Sequence, residues 1–459
     1  MAYKIAIIGG GPGGYVAAIR AAQLGARVAV IEKDRLGGTC LNRGCIPTKA
    51  LVASAGALHT IKKSSGLGIN VDNPTVDFSR MMERKNQVVE RLVTGINYLF
   101  KKNKIDLLEG TGKLISPNEV EVTIQDGTVN RITAENIIIA AGSDPALIPA
   151  LGYDGDRVIT SNEALELKEV PKRLLVIGGG VIGCEFACIF AELGAEITVV
   201  DVMPTILPGV EKEVSRQLQN LFKRRGIKVK TGSGIQEVRK DRDNVTAVLT
   251  NGEEISADKV LISIGRSFNS HGLGLETMGI AIGTKGDIII NSRLETNIPH
   301  IYAIGDITNK IQLAHIASAQ GITAVENIMG AQKDMNYDVV PGCIFTSPEV
   351  AGVGMTSQEA EEKGIAVKSG KFPFMALGKA QAAGETDGFV KIMADASSDR
   401  VLGVHIIGPH ATDLIAEAAL AIKLGATTAQ LAETIHAHPT LAEAILEAAE
   451  AVHGQSIHI

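Results

Sequence analysis

An α/β fold built around parallel sheets follows from three observations on this sequence. An apolar run, a glycine turn, an alanine-rich helix and a second apolar run occur in that order twice. The chain holds 50 glycines but only 3% aromatic residues and no Trp, which suits tight strand-to-helix turns better than a sandwich or a propeller. Short apolar strands alternate with helical patterns along the rest of the chain.

The totals set bounds. With 459 residues, the chain is expected to form two to four domains with real cores. It is 45% hydrophobic and 21% charged, with a formal net charge of −6 and both signs interspersed. No basic arm or stripe is present, so nucleic acid is not an expected partner. Residues 4–8 already read as a strand, which leaves no room for a signal-peptide core. No run approaches 18 apolar residues, so no membrane span is expected, and a cytoplasmic location is. Five cysteines, Cys40, Cys45, Cys184, Cys188 and Cys343, do not make a disulfide scaffold.

The repeat is the strongest internal signal. Lys4–Lys33 and Arg173–Val202 align without gaps at an offset of 169, with 11 of 30 positions identical. Gly9, Gly11 and Gly14 make G-x-G-x-x-G directly after the first strand, and Gly178, Gly180 and Gly183 repeat it. The first glycine makes the turn, the second lets the backbone approach a pyrophosphate, and the third lets helix and strand pack closely. Phosphates then rest on the helix N-terminus. An acid ends the second strand of each copy, Glu32 and Asp201, each 18 positions past its third glycine, placed to accept from a ribose hydroxyl. One such motif alone is often a turn without a ligand. Here strand, turn, helix, strand and acid agree twice, which predicts two Rossmann-like dinucleotide-binding domains. A carboxylate at 201 repels a 2′-phosphate, and the first Arg after it is Arg216, so NAD is expected rather than NADP.

Elsewhere the reading is coarser. Helices are expected over 88–104, 217–225, 411–424 and 441–452. Strands are expected within 107–129 and over 136–141, 227–238, 245–249 and 259–264. Residues 350–407 mix both.

The segment Gly37 to Lys49 reads GGTCLNRGCIPTK. In a regular helix, residues five apart have Cα atoms roughly 8.6 Å apart, beyond the roughly 7 Å a disulfide tolerates. A bridge between Cys40 and Cys45 therefore needs a distorted backbone, and Gly44 supplies the freedom. On spacing alone, buried structural thiols or half a metal site stay open. Cys184 and Cys188, one helical turn apart, read as packing residues. At the other end, His438 precedes Pro439-Thr440-Leu441-Ala442-Glu443. Thr440 and Glu443 have the spacing of a capping box, His438 could be an ordinary surface residue, and His436 and His438 could be a weak metal pair.

GGTCLNRGCIPTK resembles the redox-active segment of the pyridine nucleotide-disulfide oxidoreductases, and its Leu-Asn-Arg and Ile-Pro-Thr-Lys wording is most similar to the dihydrolipoamide dehydrogenases among them. The resemblance extends over the chain through IIIAAGSDP (137–145), VLISIGR (260–266), TNIPHIYAIGD (296–306) and HAHPTLAE (436–443). It implies an FAD-binding domain over 1–145, an NAD-binding domain over 146–268, a central domain over 269–338 that completes the FAD site, and a C-terminal α+β dimerisation domain over 339–459. It implies oxidation of protein-bound dihydrolipoamide with reduction of NAD, in a homodimer serving a lipoylated acyltransferase or a glycine cleavage carrier protein.

Residue by residue, the resemblance makes Cys40 the interchange thiol and Cys45 the thiolate beside the flavin. It gives Gly9, Gly11, Gly14, Glu32, Lys49, Gly112, Ser143, Asp306 and Ala314 to FAD, and Gly178, Gly180, Gly183, Glu185, Asp201 and Gly265 to NAD, with Lys49 paired to Glu185. His438 becomes the acid–base group, oriented by Glu443 and serving the neighbouring chain. An imidazole held by a carboxylate can take a thiol proton near neutral pH. Three departures stand out: Ala141 where the family often has Thr, Gln320 where relatives often carry an acid, and Ser267 where a second Arg is common.

Overall fold

A computed structural model of the chain describes residues 2–241 and 244–459. The described chain divides into two compact units, one of residues 1–51, 79–147 and 265–336, the other of 52–78, 148–264 and 337–459.

In the first unit, strand Tyr3–Ile8 lies between Val28–Glu32 and Val129–Ile139, and both pairings are parallel. Asp106–Glu109 extends the sheet on one side and Ile301–Ala303 on the other, again parallel. The central strand is apolar from Ile5 to Ile8, where both faces are covered, and Ile5, Ala6 and Ile7 are fully buried. Strand Val129–Ile139 is long enough to serve two sheets. Its second half pairs with Tyr3–Ile8, and its first half forms an antiparallel meander with Glu119–Thr123 and Thr111–Ser116. Helices Pro12–Gln23 and Ala314–Ile328 pack so closely that a β-carbon on Gly321 would lie 2.6 Å from the Gly13 carbonyl oxygen.

The second unit repeats the motif. Strands Arg173–Ile177, Glu196–Asp201, Lys228–Thr231, Lys259–Ile262 and Val158–Ile159 form a parallel five-stranded sheet. The helix after the glycine turn spans Val181–Glu192, which is the first copy's Pro12–Gln23 shifted by the same 169 positions. An antiparallel sheet of Ile235–Lys240, Val245–Leu249 and Glu254–Ala257 is appended. The C-terminal part is an antiparallel five-stranded sheet centred on Val401–Gly408, with helices Ala411–Leu424 and Glu443–Ala451 against it. A buried ion cluster ties it to helix Lys212–Arg224. Lys391 Nζ lies 2.9 Å from Glu211 Oε1 and 2.6 Å from Glu213 Oε1, and also donates to Ser357 Oγ.

Helix Ala411–Leu424 has the predicted bounds. Four other expectations need correction, one being the helix expected over 217–225, which begins at Lys212. The helix expected over 88–104 begins ten residues earlier, at Phe78. The helix expected over 441–452 starts at Glu443, and the capping box forms only half: the Thr440 amide donates to Glu443 Oε2, but the Thr440 hydroxyl turns back to the Ala437 carbonyl. The strand expected over 227–238 is two strands, broken between Thr231 and Ile235. Among the described residues, no helix is long and apolar enough to cross a membrane.

Candidate active site

The two glycine turns share one geometry. Gly9 and Gly178 have φ of +107° and +106°, and a β-carbon on either would sit 2.3 Å from the carbonyl oxygen of Ala140 or Ser263. Only glycine fits such a turn. On Gly14 and Gly183 a β-carbon would meet the Gly9 and Gly178 carbonyl oxygens at 1.8 and 2.0 Å, so helix and strand touch through bare backbone. The middle glycine differs. Gly11 and Gly180 have ordinary φ of −68° and −75°, and a β-carbon there would find only Gly38 Cα at 3.8 Å or nothing within 4 Å. The polypeptide does not require glycine at these two positions. A ligand pressed against the helix N-terminus does, which is the fit expected of a dinucleotide pyrophosphate.

The terminal acids brace the same turns. Glu32 Oε2 accepts from the Gly10 amide and Asp201 Oδ2 from the Gly179 amide, both at 2.6 Å. Their other oxygens accept from Asp34 at 2.9 Å and Met203 at 2.7 Å. An ionised carboxylate offers about four acceptor sites, so each acid keeps lone pairs for a ribose. Each also holds its glycine loop in shape, a structural duty that spacing alone does not reveal.

The cysteine segment breaks where Gly44 stands. Gly38–Arg43 is helical, and a new helix starts at Cys45 and runs to Lys63. A β-carbon on Gly44 would be 2.9 Å from the Thr39 carbonyl oxygen and 3.3 Å from Cys40 Cα, so the missing side chain lets the chain fold back on the turn that carries Cys40. Asn42 holds that turn by donating to the Leu36 and Gly38 carbonyls at 3.1 and 3.0 Å. Cys40 is half-buried and Cys45 exposed. They meet: the hydrogen bond to Cys45, with burial next, pushes the Cys40 thiol well above its ordinary value, while the Lys49 cation pulls against that.

Ser143, in the short strand Ser143–Pro145, and Asp306, at the start of a 3-10 turn far away in sequence, are joined. The Ser143 hydroxyl donates to Asp306 Oδ2 at 2.5 Å and accepts from Arg266 Nε at 2.6 Å. Gln320, 1% exposed, accepts the Gly305 amide at 2.6 Å, a neutral acceptor at the position where an acid is the family expectation. Neither Arg266 nor Gln320 was among the expected site residues. Their signal lies in hydrogen bonds spanning 123 and 15 residues.

His438 Nδ1 lies 2.8 Å from Glu443 Oε1, and the imidazole is 76% exposed on the chain. Burial would raise the Glu443 carboxyl, but the Thr440 amide and His438 outweigh it and hold it below its ordinary value. The ring is thus oriented by an anion while Nε2 faces outward.

The remaining expected residues sit as follows. Lys49 is in the first turns of helix Cys45–Lys63. Gly112 packs against Ile8 and Ile31, where a β-carbon would be crowded at 3.2–3.3 Å. Ala314 begins helix Ala314–Ile328. Glu185 is 3% exposed and accepts the Phe345 amide at 2.9 Å. Gly265 has φ of +125°, and its carbonyl accepts the Ala146 amide. Cys184 donates to the Gly179 carbonyl at 3.3 Å. Burial holds its thiol well up and pushes Cys188 to about 12, which favours the less reactive thiol form of both. Cys40, Cys45 and Lys49 belong to the first unit, His438 and Glu443 to the second.

Comparison with known proteins agrees with this geometry. The profile of the family described as "Pyridine nucleotide-disulphide oxidoreductase" matches residues 3–321, and that of the family's dimerisation domain matches 340–449. The chain is 45% identical to a dihydrolipoyl dehydrogenase of Bacillus subtilis, covering 99% of both chains. It is 43% identical to one of Thermus scotoductus, covering 100% of this chain and 99% of that one. Among solved structures it resembles LpdA from Mycobacterium tuberculosis, with a TM-score of 0.92 and 29% identity over 97% of this chain and 98% of that one. It also resembles the HOCl-induced flavoprotein disulfide reductase RclA from Escherichia coli, with a TM-score of 0.88 and 27% identity over 98% and 99%. The chain belongs to the pyridine nucleotide-disulphide oxidoreductase family.

Proposed function

We propose that this protein is a dihydrolipoyl dehydrogenase that oxidises protein-bound dihydrolipoamide to lipoamide and reduces NAD to NADH. The observation that carries the reading is the broken helix at Gly44, which faces Cys40 toward Cys45. Near-half identity to dihydrolipoyl dehydrogenases along the whole chain supports it.

The cycle starts from the oxidised pair. His438, oriented by Glu443, takes a proton from one substrate thiol. The resulting thiolate attacks the Cys40 sulfur, the bond between Cys40 and Cys45 breaks, and Cys45 leaves as thiolate. The second substrate thiol then gives up its proton and attacks the substrate sulfur bound to Cys40; the bond from that sulfur to Cys40 breaks, Cys40 leaves and takes up a proton through His438, lipoamide departs, and the two electrons stay on the cysteine pair. FAD, when bound, supplies the two-electron relay from the dithiol to the nicotinamide. Gly9, Gly11, Gly14, Glu32 and Gly112 would hold its adenosine and pyrophosphate, Asp306, bonded to Ser143, its ribityl chain, and Lys49 and Ala314 would line its ring side. Gly178, Gly180, Gly183, Glu185, Asp201 and Gly265 hold NAD. The division at 145, 268 and 338 follows these duties. Two copies join through the C-terminal domain, so that His438 of one serves the thiols of the other. The lipoyl group arrives on a separate acyltransferase or glycine-cleavage carrier, and the enzyme works in the cytoplasm.

The test is a turnover assay on the purified yellow protein. Dihydrolipoamide with NAD should yield NADH rapidly, and NADP should serve at least tenfold less well. Reduction of glutathione disulfide by NADPH at a comparable rate would overturn the reading.

A further inference from the structure

The segment that carries His438 holds a second histidine whose surroundings fix its protonation. The His436 side chain is 5% exposed. Its Nδ1 lies 2.8 Å from the Thr434 carbonyl oxygen, and its Nε2 lies 2.8 Å from Glu417 Oε1. A carbonyl oxygen can only accept, and so can an ionised carboxylate. A neutral imidazole has one N–H, so it can satisfy only one of these two partners. Both contacts are hydrogen bonds only if the His436–Glu417 pair holds one proton more than a neutral ring beside a carboxylate. An imidazolium paired to Glu417 meets that count, with both nitrogens donating.

Three charged or titratable groups surround it. Glu417 approaches from helix Ala411–Leu424, Glu443 from the start of helix Glu443–Ala451, and His438 follows two residues on in the same segment. The His436 charge is among the influences that hold the Glu443 carboxyl low. It therefore favours the ionised form of the group that orients His438.

We propose that His436 is a positioning residue, an imidazolium clamped between Glu417 and the Thr434 carbonyl, which fixes the His438 segment and keeps Glu443 ionised beside the base. It touches no substrate. The inference rests on His438 being the base of the proposed function.

The sign of the effect follows. With the positive charge removed, Glu443 and His438 together bind a proton more readily. The base is then lost at higher pH, and the acid limb of kcat/KM for dihydrolipoamide moves up. One charge removed from a partly exposed site shifts such a limb by roughly half a unit, about threefold in free base on the limb. In His436→Gln the cation is gone and Glu417 remains. In Glu417→Gln the amide N–H donates to Nε2, so the ring is neutral while the segment keeps its anchors.

The experiment measures kcat/KM against pH for the FAD-containing dimer, as wild type, His436→Gln, Glu417→Gln and His438→Gln. The inference expects an upward shift of the acid limb in both of the first two variants, the larger in His436→Gln. An unmoved limb in both variants, or a downward shift in Glu417→Gln, overturns it. The His438→Gln arm separates the two claims. If that variant keeps wild-type kcat/KM, the base assignment fails. If it loses activity while the other two leave the limb in place, only the positioning role fails.

Discussion

Replacing Gly180 and Gly183 by alanine separates a glycine kept for a ligand from one kept for the fold. On Gly183 the new methyl would stand 2.0 Å from the Gly178 carbonyl oxygen and 2.7 Å from Ser263 Oγ. Backbone would have to move, which costs about 1–3 kcal/mol and lowers the unfolding midpoint by roughly 3–10 °C. On Gly180 the methyl meets no protein atom within 4 Å, and φ of −75° and ψ of −171° suit alanine. Alanine is the poorer N-cap but restricts the unfolded chain, and these terms nearly offset, leaving stability within about 0.5 kcal/mol of wild type. The methyl would, however, occupy the space where a pyrophosphate approaches the helix. An overpacking cost of about 1–3 kcal/mol there weakens NAD binding by roughly 5- to 150-fold. Calorimetric titration with NAD and a melting curve on both variants decide it, with bound FAD as an internal control. Gly180→Ala protein that binds NAD like wild type would refute the assignment of this turn to the nicotinamide dinucleotide.

Gly44→Ala should push Cys40 and Cys45 apart, because its β-carbon collides with Thr39 and Cys40. Dihydrolipoamide oxidation should fall at least tenfold while bound FAD remains, and air-oxidised protein should keep both thiols open to alkylation; a normal internal disulfide would contradict this. Lys391→Met should destabilise the chain by about 3–5 kcal/mol, since it strands the buried Glu211 carboxylate. Adding Glu211→Leu should recover most of that loss in a denaturant titration, and no recovery would deny the pairing. Acid should also act through particular carboxylates. Burial would raise Glu192, but hydrogen bonds from His59 and Lys62 override it and hold the group at about 2, against an ordinary 4.5. A depressed folded-state value stabilises the protein above pH 4.5, and that contribution is lost as pH falls toward 2. Melting midpoints across that window should drop less steeply in Glu192→Gln, and parallel slopes would count against the network.

The parallel-sheet architecture was readable because one motif occurs twice: the strand, turn and helix of the first copy reappear 169 residues later with the same helix bounds. The helix break at Gly44 was readable from the geometry of a five-residue step. Other features were masked for physical reasons. Helix Phe78–Lys102 lost its first half because its buried stripe, Met82, Lys85, Val89, Val93, Ile96 and Phe100, contains a lysine, and Lys85 at 1% exposure interrupts the apolar period. Helix Cys45–Lys63 was hidden by Pro47. A proline interrupts a helix interior, yet in a first turn its missing N–H costs nothing. The clasp between Arg266, Ser143 and Asp306 and the cluster around Lys391 join residues more than a hundred positions apart, and no local pattern records such partners. His436 was legible only as half of a weak metal pair because nothing near it in sequence announces Glu417, 19 residues earlier.

The central claim is that Cys40 and Cys45 alternate between disulfide and dithiol in step with dihydrolipoamide oxidation. Differential alkylation followed by mass spectrometry measures this directly, on oxidised protein, after anaerobic addition of dihydrolipoamide, and after subsequent addition of NAD. The account predicts that residues 40 and 45 resist alkylation in the first state, accept it in the second, and resist again in the third as NADH forms in stoichiometric yield. Equal labelling of both cysteines in all three states, with turnover intact, would contradict it.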